Sequence, residues 1–266
     1  MGNSRITKEE MLALMEKYRV SFPKEYIFYL TETKETLKGK SVYIQDGQWE
    51  TEAVMHGFYN TATELKEAME MLEEDWWPKG YIAIGYDEGG EYFCISTKEE
   101  NFGSIFYFLS DGIDEDPEDA LIKVCDGFLW LLGDESLDKI SVDECSELFS
   151  ECAYKCSRDA LKYLYRDLFE ECDKDLDRFF NRVEEKKNVK GRVIESGKIY
   201  ELIFTSCDCP IHTEAGIKSN RLCECSRQSM ICVFKDLVPE RKFHIECVKS
   251  ILSGNEECCH RIIFED

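Results

Sequence analysis

Residues 75–111, DWWPKGYIAIGYDEGGEYFCISTKEENFGSIFYFLSD, constrain the fold more than any other part of this chain. Three β-branched and aromatic runs, at 81–86, 92–96 and 105–109, carry strand propensity. An Asp-Glu-Gly-Gly turn and a polar loop separate them, and Gly89 and Gly90 supply the positive φ of a tight hairpin. The segment is expected to form a three-stranded antiparallel meander. Such a meander serves as a core or a binding platform and carries no catalytic signature.

Helical signals flank it. Upstream, Pro23 opens a short helix whose Tyr26, Phe28, Tyr29 and Leu30 are mostly apolar. Downstream, Asp116 is the expected N-cap with Pro117 at N1. Leu121, Val124, Cys125, Phe128, Leu131 and Leu132 are read as one apolar helix face ending at Gly133.

That order, with FPKEYIFYL, YIAIGYDEGGEYFCIS, the 105–109 strand and the closing DGFLWLL, resembles the SUKH superfamily over roughly residues 5–135. The resemblance implies an antiparallel sheet with flanking helices, and an immunity protein that binds and neutralises a toxin exchanged between competing bacteria, often a nuclease. It supplies no catalytic residues. The chain departs from the family pattern where Thr31-Glu32-Thr33-Lys34 stands in place of an Asn-Gly-Gly turn, so the first loop is expected to differ.

The length of 266 residues suggests about two domains, and charge and cysteine divide the chain in opposite senses. Residues 1–150 hold 13 Lys and Arg against 33 Asp and Glu, so −20 of the net −22 lies there. A surface of that sign repels nucleic acid and anionic membrane, and it speeds association with basic proteins. The expected partner is a basic toxin. The proposed contact face is Trp76 and Trp77 with Asp87, Glu88, Glu91, Asp114, Glu115 and Asp116. An acidic surface that serves only solubility is the plainer alternative. No export signal and no apolar run of about 20 residues is seen, so a cytoplasmic protein is expected.

Eleven of the 14 cysteines follow residue 150. In a reducing compartment, clustered cysteines suggest metal before disulfides. A capping box at Ser141–Glu144 should start a long helical region through about residue 185, with Cys145, Cys152 and Cys156 along one face. A hairpin at 192–204 then delivers Cys207-Asp208-Cys209-Pro210, and after a polar loop comes Cys223-Glu224-Cys225. Cys207, Cys209, Cys223 and Cys225 make the four thiolates of a candidate zinc site. Cys152, Cys156, His212 and His260 are alternative ligands, and buried free thiols are the competing account. The tail, with strands expected at 243–248 and 261–264, weakly resembles the ends of small-molecule-sensing domains of the vinyl-reductase type and of thiazoline-carboxylate hydrolase relatives.

The expected class is therefore α+β: a SUKH-like antiparallel sheet with flanking helices over residues 1–140, then a helix plus a cysteine-rich antiparallel β domain over 141–266. Cys259 and His260 are neighbours on a strand and point to opposite faces, so they are not a nucleophile and base. No nucleotide, zinc-protease or nucleophile-elbow motif is present. A binding protein without catalysis is the leading reading. The rival is a small-molecule or metal sensor, or an enzyme, in the cysteine-rich half with the acidic half as adaptor.

Overall fold

Ile6 and Asn60 each precede a Thr-x-x-Glu capping box, and these two boxes start the first and third helices of the N-terminal unit. Thr7 accepts from the Glu10 N–H and Thr61 from the Glu64 N–H, while each glutamate reaches back to its cap. The computed structural model describes residues 4–112, 116–185 and 188–265. It divides into two compact units, Met1–Ile140 and Ser141–Asp266.

In the first unit, α1 (Lys8–Tyr18) and α2 (Lys24–Thr31) precede a hairpin of β1 (Ser41–Asp46) and β2 (Trp49–Phe58). Then come α3 (Ala62–Glu70), β3 (Tyr81–Asp87), β4 (Tyr92–Ser96), β5 (Ile105–Phe108), β6 (Leu121–Cys125) and α4 (Phe128–Lys139). The six strands form one antiparallel sheet in sequence order. The expected meander is its β3–β5 portion. Of the two turn glycines only Gly90 has positive φ, at +90°.

The helix expected from Leu121 is corrected by the structure. Asp116 does cap, accepting from the Glu118 N–H at 2.9 Å, but the segment it caps is a single 3₁₀ turn, Pro117–Ala120. Leu121–Cys125 then pairs with β5. An edge available for pairing outweighs weak helical periodicity in so short a run. The helix starts at Phe128 and continues past Gly133, whose φ of +65° kinks it. Tyr26 and Tyr29 of α2 meet Phe128 edge-on, with ring centroids 5.0 and 5.2 Å away, which seats both helices on one core.

Close backbone approach sets the sheet's waist. A Cβ on Gly85 would run into the Gly57 carbonyl, and one on Gly57 into the Tyr86 ring, so β2 and β3 meet there only because both residues lack side chains.

The second unit begins with α5 (Val142–Leu148), α6 (Ser150–Ala160), a π-helical turn (Leu161–Tyr165), α7 (Arg166–Glu171) and α8 (Leu176–Arg182). The capping box at Ser141 and Glu144 forms as expected. The helical region runs to Glu185 as expected, ending in a 3₁₀ turn (Val183–Glu185), but in pieces. It is interrupted at Phe149 and again after α7, where Asp173 and Lys174 take positive φ and Asp175 caps α8 through the Arg178 N–H. This break turns Phe179 and Phe180 into the core, with Phe180 stacked on Tyr200 at 4.5 Å.

There follow β7 (Val189–Glu195), β8 (Ile199–Phe204), α9 (Pro210–Thr213), α10 (Leu222–Leu237), β9 (Phe243–Lys249) and β10 (Cys258–Phe264). The antiparallel order is β7-β8-β10-β9, which puts β10 inside and β9 at an edge. Across this sheet Arg192, Glu201 and Arg261 are direct cross-strand partners, and both arginines bond the buried Glu201 carboxylate at 2.7–3.1 Å. Val233 and Phe234 of α10 pack with Tyr200, Ile262 and Phe264 to form the core.

Candidate functional site

The proposed contact residues of the first unit separate by burial. Trp76 is 41% exposed and its ring stacks over Phe108. Trp77 is fully buried, a correction to its reading as a partner anchor. Its Nε1–H donates to the Tyr81 carbonyl at 2.7 Å, and its ring lies edge-on to Tyr92 and Phe108. A large ring with one donor is best satisfied in a core that offers a carbonyl at its rim.

Asp87 and Glu91 are engaged internally. Asp87 accepts from the Gly89 and Glu91 N–H groups at 2.8 and 3.0 Å and from the Tyr107 hydroxyl at 2.6 Å, which orders the hairpin turn. Glu91 accepts from the Ser110 hydroxyl at 2.8 Å. Glu88 and Asp116 are exposed. Asp114 and Glu115 lie outside the described residues.

A more extensive surface, not singled out from sequence, is the outward face of the β1–β2 hairpin. Tyr43 pairs across the ladder with Glu52, Ser41 with Val54, and Gln45 with Glu50. Tyr43 is 58% and Val54 43% exposed, and Trp49 stands exposed at the turn. The inward positions Val42, Ile44, Ala53 and Met55 are buried. The period-two alternation in VYIQ and AVMH was the available signal. The face joins apolar side chains to the carboxylates of β2 in the hairpin at the sheet's edge, a combination suited to a protein partner with basic groups.

In the second unit the four cysteines read as a zinc set do not converge. Cys223 and Cys225 lie in the first turn of α10, and two residues on a helix turn through about 200°. Cys225 is therefore directed to α6, beside Cys152. The apolar spacing of Leu222, Cys225, Met230, Val233, Phe234 and Leu237 carried the helix signal in the sequence. Between the two cysteines, Glu224 accepts from Ser146, Arg227 and Gln228 at 2.6–2.9 Å.

Cys207, Cys209 and Cys223 do share a site. They line a cavity of about 20 Å³ with Cys247, Cys258 and His260. Cys247 stands opposite His260 in the β9–β10 ladder, and Cys258 is two residues before His260, hence on the same face. Cys223 Sγ lies 2.7 Å from Ser250 Oγ, and Cys258 Sγ accepts from the Ile251 N–H at 3.3 Å. Contacts with Cys247 and Ser250 lower the Cys223 thiol below its ordinary value, and the contact with Cys223 pushes the Cys247 thiol up. His260 is 2% exposed, and its Nδ1 has no hydrogen-bond partner among the described residues. Burial holds its imidazole neutral, lowered to about 4.

Residues 5–132 match the SMI1 / KNR4 family (SUKH-1) model, and the N-terminal unit is a SUKH-superfamily domain. No curated protein matches the chain. Among solved structures, a trafficking protein particle complex subunit 3 from Naegleria fowleri, covalently bound to palmitic acid, is similar at 14% identity over 48% of this chain and 85% of that one, with a TM-score of 0.29. An H-NOX domain from Shewanella oneidensis, in its Fe(II)CO state, is similar at 13% identity over 56% and 83%, with the same TM-score of 0.29. No helix among the described residues is long and apolar enough to cross a membrane.

Proposed function

We propose that this protein is an immunity-type binding protein of the cytoplasm, which neutralises a basic protein toxin, such as a nuclease, by direct binding through its SUKH domain. The observation that carries this reading is the β1–β2 face, where exposed Tyr43 and Val54 are set among Glu50 and Glu52 in a domain of large negative charge. Trp76, Glu88 and Asp116 extend the candidate contacts. The domain contributes recognition rather than chemistry: its internally bonded carboxylates Asp87 and Glu91 hold a turn and a loop.

Co-expression with toxins encoded beside the gene tests the proposal. Protection is expected from the intact chain, with loss by at least about 100-fold in affinity for Tyr43→Ala combined with Glu52→Lys, since central aromatic anchors and charge reversal each cost about 2 kcal/mol or more. Failure of every neighbouring toxin to bind, or full protection by the double variant, would remove the reading. The cysteine-lined cavity favours a second role for the C-terminal unit, as a metal or small-molecule sensor.

A further inference from the structure

We propose that the cavity between the first turn of α10, the 207–209 loop and the facing ends of β9 and β10 binds one zinc ion, held by the thiolates of Cys207, Cys223 and Cys258 and by His260 Nδ1. The site lies wholly within the second unit and is independent of toxin binding.

Three observations point to a metal. First, the cavity of about 20 Å³ has room for one water-sized occupant, the size of a single ion. Second, its lining is soft: Cys207 lies near Cys223 and Cys258, and Cys258 near Cys223, all three on the wall of one cavity. Three thiolates and one imidazole form an ordinary tetrahedral zinc set, with Zn–S near 2.3 Å and Zn–N near 2.0–2.1 Å. Third, His260 Nδ1 is a buried lone-pair donor or N–H with no partner among the described residues, in a side chain that lines this cavity. A buried polar atom left unpaired costs about 1–3 kcal/mol, which a bound ion would recover.

The surroundings suit that charge. Cys223 sits at the positive end of a 16-residue helix, which favours its thiolate. Cys247, in contact with Cys223, stands as an outer-sphere donor. Binding replaces one proton on each of the three thiols, so zinc plus three thiols yields the complex and three protons.

Among the described residues no three Cys, His, Asp or Glu side chains already converge at coordinating distance. The thiols are turned to local partners instead, Cys223 to Ser250 and Cys258 to the Ile251 N–H. Exchange of one staggered χ1 well for another carries a cysteine sulfur about 3 Å, and rotation of this kind is the movement that binding requires. The neighbouring Cys152, Cys156 and Cys225 group is the internal comparison: Cys156 is exposed, and no unpaired buried nitrogen among the described residues adjoins it.

The test is cobalt titration of the reduced, metal-stripped full chain, followed by zinc displacement. One equivalent of cobalt should give the intense thiolate charge-transfer absorption and the tetrahedral d–d bands, and one equivalent of zinc should abolish both. Cys223→Ser and His260→Gln should each weaken uptake at least about 10-fold while circular dichroism stays unchanged. Cys225→Ser and Cys232→Ser should bind as the unaltered chain does. The proposal is overturned if the folded, reduced protein takes up no cobalt or zinc at micromolar concentration. It is equally overturned if uptake survives Cys223→Ser and is lost in Cys225→Ser, or if mild oxidation joins Cys223 to Cys247 in a chain that binds no metal when reduced.

Discussion

A single hydroxyl shows how unevenly individual side chains contribute to the N-terminal core. Tyr26 is fully buried, its ring packs on Phe22 and Phe128, and its hydroxyl has no hydrogen-bond partner among the described residues. Burial alone pushes that phenol far above its ordinary range. Removing a desolvated polar group while keeping the ring should therefore help. Tyr26→Phe is expected to stabilise by about 1–2 kcal/mol, read as a rise in Tm of a few degrees. A fall in Tm would mean that the hydroxyl is satisfied in solution. Trp77→Ala, by contrast, removes both a core ring and the donor to Tyr81, and should cost about 3–5 kcal/mol. Trp76→Ala should leave stability nearly unchanged and act, if at all, on partner affinity. Comparing the two in thermal melts and binding assays separates a core tryptophan from a surface one.

At the scale of elements, short polar contacts fix how helices meet strands. Asp177, in the first turn of α8, accepts from Ser196 of the β7–β8 turn, from Tyr200 Oη at 2.6 Å and from the Gly197 N–H at 3.2 Å. These bonds hold its carboxyl below the usual aspartate range. Because the folded value is depressed below the unfolded one, the stabilisation is present above the unfolded value of 3.8 and is lost as pH falls through the folded value. Chemical denaturation of the C-terminal unit should therefore show stability falling below about pH 4, and Asp177→Asn should flatten that part of the profile. An unchanged slope in the variant would show that the contact is not formed in solution. Gly191 works on the same junction by absence: a Cβ there would strike the Phe180 carbonyl, so Gly191→Ala should force α8 off β7 and destabilise by roughly 1–3 kcal/mol or more.

Across the whole molecule, charge and cysteine mark two units with separate cores and separate proposed tasks. A strongly negative domain that meets a basic partner gains chiefly in association rate. Raising salt from about 0.05 to 0.5 M should slow association by at least about 10-fold and leave the dissociation rate nearly constant. A salt-independent association rate would assign the acidic surface to solubility alone.

Local signals in the sequence sufficed for the elements whose stability is mostly local. The 81–96 hairpin with its glycine turn, the 105–108 strand, the capping box at Ser141 and the 189–204 hairpin are legible because turn chemistry, capping and β-propensity act within a few residues. The family resemblance was legible for the same reason, since motif order survives without coordinates. Long-range pairing decided the rest. Leu121–Cys125 reads as helix until the β5 edge claims it, and Trp77 reads as a surface anchor until Tyr81, Tyr92 and Phe108 enclose it. The cavity gathers residues from positions 207 to 260, and Cys223 and Cys225 part company because a helix rotates about 100° per residue. Spacing along the chain states which ligands are available, whereas only the packing of α10 against β9 and β10 decides which of them can face one point.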